Sequence, residues 1–386
     1  MDSPAIPDDL VVEIFLRIPS PAGLLRASAT CISFRRLITD RSFLRRYRRR
    51  HAPPFLGFLN YDRVFHPAEP PHPSASVASA VALAADFSFA FLPGLAYDYR
   101  VQDVRGGRVL LSRHPFDDRS LVVCDPLHRR YLMLPPISDA LADSVENRLE
   151  LWPERWHNTF LVPPGNDNDE AAAAEGTSFR VIWMAQCGFK NMFAFVFSSD
   201  TGQWRVVPSQ SWNDLCVGSF GPTGISIFNH RQYAHGRFYW IMKLKEGMKM
   251  LVLDTVRLEF SILEPPPEAI GAHIPNMTMV ETGEGITGLF MLACGTSKLR
   301  YSIRRYNSGS SSQWQNDKTI SLVSRYSLIS SLESSLFLYD DGSSSLNPGF
   351  FTLDIKTFQL EKVCTLDISD PHPYSNFPPS LSSPTI

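Results

Sequence analysis

Apolar positions recur at helical spacing through the first fifty residues and at strand spacing from about residue 55 onward. In the opening stretch Leu10, Ile14 and Ile18 fall on one helical face, and Val11 and Phe15 fall on the neighbouring one. A helix with two apolar faces, inside a unit of about fifty residues, has too little partner surface of its own. One of those faces is expected to be covered by something else, which points to docking and not to catalysis. Pro19 ends this helix. Ser20-Pro21 starts the next, with Ser as cap and Pro at the first helical position. Asp40 can cap a last helix from Arg41. The pattern predicts three or four short helices joined by tight breaks, read either as a docking module or as a small cap on the rest of the chain.

Past Pro53-Pro54 the pattern changes. Phe55-Leu56-Gly57-Phe58-Leu59 reads as extended, and residues 67–73 form a Pro-rich loop. Residues 77–95 are apolar enough to imitate a membrane span. The alternation Phe87-Ser88-Phe89-Ala90-Phe91 predicts a buried strand pair there instead. From the Pro-rich loop to about residue 370 a degenerate unit repeats: apolar residues, an Asp, a turn, an aromatic and a second apolar run. It appears around Asp125, Asp200, Asp254 and Asp354, with a weaker copy from Tyr306-Asn307 to Trp314. At a strand end the Asp carboxylate can accept backbone N–H bonds and set the hairpin, while the aromatic packs on the return strand. Spacing of roughly fifty residues matches propeller blades, and about 290 residues accommodate about six. The first interval is longer. Its polar and Ala-rich stretch, residues 166–174, reads as a disordered loop.

The opening residues resemble the F-box, the segment that binds the Skp1 adaptor of cullin-based ubiquitin ligases. The resemblance is carried in order by Ile6-Pro7-Asp8-Asp9-Leu10, by Glu13-Ile14-Phe15-Leu16-Arg17-Ile18-Pro19, and by Leu24-Leu25-Arg26. Cys31-Ile32-Ser33-Phe34-Arg35-Arg36-Leu37-Ile38 and Ser42-Phe43-Leu44 complete it. Two positions depart from the family pattern. Ile6 stands where Leu is usual, and Phe34 where Trp is usual, which keeps a ring but loses an N–H donor. His235-Gly236-Arg237-Phe238-Tyr239-Trp240 resembles a strand of F-box-associated, kelch-like propellers, and the segment around Tyr374 resembles the tail of the plant branch.

The resemblance implies an α+β multidomain chain: a small all-α F-box of three short helices, then an all-β propeller of about six blades. Expected boundaries are 1–51 for the F-box, 52–75 for a connector with a first strand, 76–370 for the propeller and 371–386 for a tail. It implies a non-catalytic substrate-recognition subunit that binds Skp1, and through it cullin and RING subunits, with an unnamed target on the propeller. Ile6, Pro7, Leu10, Ile14, Pro19, Leu24 and Phe34 are the expected Skp1-binding residues. No cofactor is implied.

Charge adds one alternative. Residues 1–51 hold ten arginines against five acids, a net of +5, so the rest carries −7 of the formal −2. The run Arg45-Arg46-Tyr47-Arg48-Arg49-Arg50 could serve nuclear import or a nucleic-acid patch, or simply be a solvated helix end favoured by the helix dipole. No recognition helix with base-reading residues accompanies it, so nucleic acid is not the expected partner. Six scattered cysteines form no CxxC pair, and the sequence opens without a signal-peptide pattern. A reducing cytoplasm or nucleus is therefore expected, and the sequon at Asn276 is expected to stay bare.

No Walker loop, GxSxG or HExxH occurs, and Gly221-Pro222-Thr223-Gly224 lacks the Lys of a phosphate cradle. The repeated Asp residues could be imagined as paired acids, and the seven Trp as a ligand face. Repetition at equivalent turns favours turn-setting Asp and core Trp. The reading kept beside the adaptor is a propeller-based carbohydrate-binding protein or hydrolase with an unrelated helical cap.

Overall fold

The computed structural model describes residues 6–94, 98–113, 120–145, 155–163, 178–187, 191–215, 231–244, 247–269, 276–283, 285–292, 296–305, 313–343, 348–365 and 368–386. The expectations for residues 166–174 and 221–224, and for Tyr306-Asn307, lie outside them. Short N-terminal helices are followed by six antiparallel sheets, the blades of a six-bladed β-propeller. The chain divides into two compact units. One holds residues 1–115, 122–132 and 370–386, and the other holds 116–121 and 133–369.

The first unit opens with α1 (Asp8–Leu16), α2 (Pro21–Ser28), α3 (Ile32–Thr39) and α4 (Arg41–Arg50). Next come β1 (Phe55–Leu59), β2 (Phe65–Pro67) and α5 (Ala75–Ala84). The sheet β3 (Tyr99–Arg105), β4 (Arg108–Arg113), β5 (Leu121–Asp125) and β6 (Arg130–Met133) follows. Among the described residues of 77–95 the expected strand pair is absent. The segment forms α5 and then turns, because Ala75, Val77, Ala78 and Val81 bury one side of an Ala-rich stretch of high helix propensity. No helix among the described residues is long and apolar enough to cross a membrane.

The second unit begins with the short helix α6 (Asp139–Asp143) and continues as four four-stranded meanders. These are β7 (Arg155–Val162), β8 (Arg180–Cys187), β9 (Asn191–Ser198) and β10 (Gln203–Ser211); β11 (Gln232–Ala234), β12 (Arg237–Leu244), β13 (Gly247–Asp254) and β14 (Glu259–Leu263); β15 (Met277–Gly283), β16 (Ile286–Leu292), β17 (Lys298–Arg305) and β18 (Gln315–Ser321); and β19 (Ser327–Leu332), β20 (Ser335–Asp340), β21 (Gly349–Asp354) and β22 (Leu360–Cys364). Back in the first unit, β23 (His372–Ser375) pairs antiparallel with β1, so strands from early and late in the chain share one three-stranded sheet with β2.

The repeated Asp does the work expected of it in three hairpins. Asp254 Oδ1 accepts the N–H groups of Val256 (3.1 Å) and Arg257 (3.0 Å), and Leu258 N–H closes on the Asp254 carbonyl at 2.9 Å. Asp354 repeats this with Lys356, Thr357 and Phe358. Asp125 accepts from Leu127 and His128. Leu258, Phe358 and Arg129 take positive φ before the return strand. Asp200 is different. Ser198 holds the equivalent strand-end position, opposite Gln203, and Gly202 supplies the positive φ, which leaves Asp200 exposed at the tip.

Large apolar side chains fill the spaces between adjacent sheets of the second unit. Trp212 and Trp240 are fully enclosed there with Phe160 and Phe238, whose rings meet edge-to-face at 4.6 Å. Buried Gln232 on β11 bridges to β15, donating to Met277 O (2.7 Å) and accepting from Met279 N–H (2.8 Å). Ser331 on β19 donates to Met279 O from the other side. Thr278 is buried on β15.

Candidate docking site

The four N-terminal helices are built by local signals. Ser20 Oγ accepts Gly23 N–H at 3.2 Å ahead of Pro21, as the sequence predicts. Cys31 Sγ accepts Phe34 N–H at the start of α3. Asp40 Oδ1 accepts the N–H groups of Ser42 (2.8 Å) and Phe43 (3.2 Å). The Ser42 hydroxyl and those two amides hold the Asp40 carboxyl below its ordinary range. Asp8 and Asp9 in the first turn of α1 favour its positive dipole end.

Val11, Phe15 and Leu16 of α1 point into a core with Leu24, Ile38 and Phe43. Phe34 packs edge-on against Phe15 at 5.0 Å. The C-terminal segment joins this core through Phe377 and Leu381. Tyr47 is fully enclosed, donates to Ile18 O at 3.1 Å, and has its phenol pushed up to about 12 by burial.

With that core complete, α1 keeps a second apolar face in solvent. Leu10 is 56% exposed and Ile14 55%, one helical turn apart, and Ile6 just before the helix is 61% exposed. Pro7 and Pro19 are also exposed. The structure thus leaves five of the seven expected contact residues, Ile6, Pro7, Leu10, Ile14 and Pro19, facing solvent, with Phe34 half-buried. Leu24 does not join that solvent-facing set: it is fully buried, because α2 turns it into the core. Ile32, which sequence reasoning passed over, is 87% exposed on the first turn of α3. An Ile directly after a cap, followed by solvent-facing Arg35 and Arg36, was the available signal.

Two arginines of the basic run are engaged within the chain. Arg46 pairs with Glu13. Arg48 turns inward to Leu381 O and Ser383 Oγ, and burial lowers its basicity. Arg45 and Arg50 stay exposed. Elsewhere, Asp125, Asp254 and Asp354 each accept turn amides through Oδ1. Among the described residues no group of three or more His, Cys, Asp or Glu side chains could hold a metal ion.

Residues 4–50 match the family model F-box-like, and residues 100–379 match the model described as F-box protein AT5G49610-like, beta-propeller. The chain belongs to this family of F-box proteins. No curated protein matches it. Among solved structures it is similar to a nidogen/laminin complex chain (TM-score 0.33, 12% identity, 74% of this chain and 86% of that one). It is also similar to TolB from Acinetobacter baumannii (TM-score 0.29, 10% identity, 70% and 69%) and to the Hadza microbial sialidase Hz136 (TM-score 0.39, 9% identity, 72% and 60%). The family assignment rests on the two family models alone.

Proposed function

We propose that this F-box protein is the substrate-recognition subunit of a Skp1–cullin–F-box ubiquitin ligase. The observation that carries the reading is the solvent-facing row Ile6, Leu10 and Ile14 on a helix whose other face already completes a core. Large aliphatic side chains in such a row fit an apolar groove on an adaptor, where a few buried anchors supply most of the affinity. The propeller would hold the target. Ubiquitin transfer needs no nucleophile here, because a RING-bound E2 brings one, and this chain contributes by holding a target lysine close at high effective concentration. Such a subunit would work in the cytoplasm or nucleus, which a fluorescent fusion would test.

Full-length chain co-expressed with a Skp1-like adaptor and a cullin–RING pair is expected to elute with them as one species. A folded chain eluting alone would count against the proposal. Three of the four repeated acids that the carbohydrate or hydrolase reading would pair, Asp125, Asp254 and Asp354, are engaged in separate turns, which counts against it.

A further inference from the structure

The segment after β23 carries three hydroxyls within four residues, and each faces a different partner. Ser382 Oγ donates to Asn376 Oδ1 at 3.4 Å. Thr385 donates through both N–H and Oγ1 to Asp125 Oδ2, each at 2.8 Å, and Asp125 is fully buried. Ser383 Oγ accepts from Arg48 Nη1 on α4 at 2.7 Å. Of the three, only Ser383 faces a cation.

That cation is short of negative charge. Its Nε and Nη2 donate to Leu381 O at 2.9 and 2.7 Å, so its acceptors among the described residues are neutral. Among the described residues no carboxylate pairs with it, and it is half-buried. Arg45 stands one turn earlier on the same row of α4, exposed. Ser383 is itself half-buried, in backbone without regular structure, and is followed by Pro384, which favours an extended conformation at the preceding residue. A Ser-Pro dipeptide outside regular structure suits the cleft of a proline-directed kinase.

We propose that Ser383 is a phosphorylation site and that Arg48 is the receiver of its phosphate. Ser383 Oγ would bond to the γ-phosphorus of ATP as the bond from that phosphorus to the β–γ bridging oxygen breaks. ADP leaves with the electron pair, and the hydroxyl proton passes to the kinase base. The phosphate then places close to two negative charges where a hydroxyl oxygen stood, and its oxygens make charge-assisted hydrogen bonds to the guanidinium. The segment is already held at two points. Phe377 and Leu381 sit in the helical core, and Thr385 is clasped by Asp125 while Arg108 donates twice to Thr385 O. A phosphate at Ser383 tightens the middle of this strap, which joins α4 to the β3–β6 sheet. A phosphate at Thr385 would meet Asp125 and have the opposite sign. The consequence for ligase geometry rests on the proposed function, whereas the phosphate–arginine contact does not.

The test uses the full chain with phosphoserine incorporated at 383, beside unmodified chain treated with a proline-directed kinase and ATP. Site mapping is expected to find phosphate on Ser383. Hydrogen exchange over residues 376–386 and α4 is expected to slow about tenfold or more. The slowing should vanish in Arg48→Gln and weaken below pH about 6, where the phosphate loses its second charge. Failure of the kinase to modify Ser383 would overturn the proposal. So would faster or unchanged exchange in the phosphoserine chain, or slowing that persists in Arg48→Gln. Adaptor binding measured on the same samples reports separately on the ligase reading.

Discussion

Leu24 and Ile14 are both apolar, both on short helices and both within the F-box match, yet the structure gives them opposite tasks. Leu24 is fully buried and Ile14 is 55% exposed. Truncation of an enclosed Leu to Ala forfeits its transfer energy and leaves a cavity, about 2–5 kcal/mol. Truncation of Ile14 removes less than half of a burial worth about 1.5–3 kcal/mol. Alanine's better helix propensity returns a few tenths of about a kcal/mol, so the net cost to folding is about 0–1 kcal/mol. Amide hydrogen exchange of α1–α4 in the two single variants would read the difference. Leu24→Ala is expected to speed exchange throughout the four helices by about thirtyfold or more, and Ile14→Ala by less than about fivefold. Comparable losses in the two variants would refute the assignment of α1's outer face as uncommitted to the fold.

Three further outcomes follow from the packing. Burial pushes the His72 imidazole down to about 4 from its ordinary 6.5. The unfolded chain therefore takes up the proton first, and up to about 3 kcal/mol of stability should drain away as pH falls from 6.5 toward 4. Denaturant titrations across that range should show the slope in wild type and a flatter profile in His72→Gln. Gly349 lies at φ 135° with its missing Cβ aimed into the Cys364 carbonyl, so Gly349→Ala should cost about 2 kcal/mol or more by thermal denaturation. Phe377→Ala and Leu381→Ala should each loosen α1–α4 in hydrogen exchange despite lying over 300 residues away, because both side chains sit in the helical core.

Local chemistry was legible in the sequence and long-range closure was not. The Asp–turn–aromatic unit found β5–β6, β13–β14 and β21–β22 because a carboxylate two or three residues from free amides acts within one turn. The helix caps Ser20 and Asp40 were readable for the same reason. At Asp200 the spelling misled by two residues, since Ser198 and Gly202 build the turn without it. Periodicity misread residues 77–95, where Phe-Ser-Phe-Ala-Phe imitates strand alternation beside an Ala-rich stretch that has a helix's composition. The β1–β23 pairing joins segments more than 300 residues apart, and no spacing rule reaches that far. At the docking site, the two apolar faces of α1 were visible in the spacing. Which face turned inward was settled by Leu24, Ile38 and Phe377 packing on one of them.

The proposed function depends on an adaptor docking on the outer face of α1. Titrating a purified Skp1-like adaptor into full-length chain, wild type and Ile14→Asp, tests it most directly. Burying the exposed halves of Ile6, Leu10 and Ile14 is worth about 3–5 kcal/mol together, and a carboxylate amid them adds a desolvation cost. The account predicts tight binding by wild type and a loss of about a hundredfold or more in Ile14→Asp, with the helical circular dichroism of the two chains alike. Equal dissociation constants for the two folded chains would contradict it.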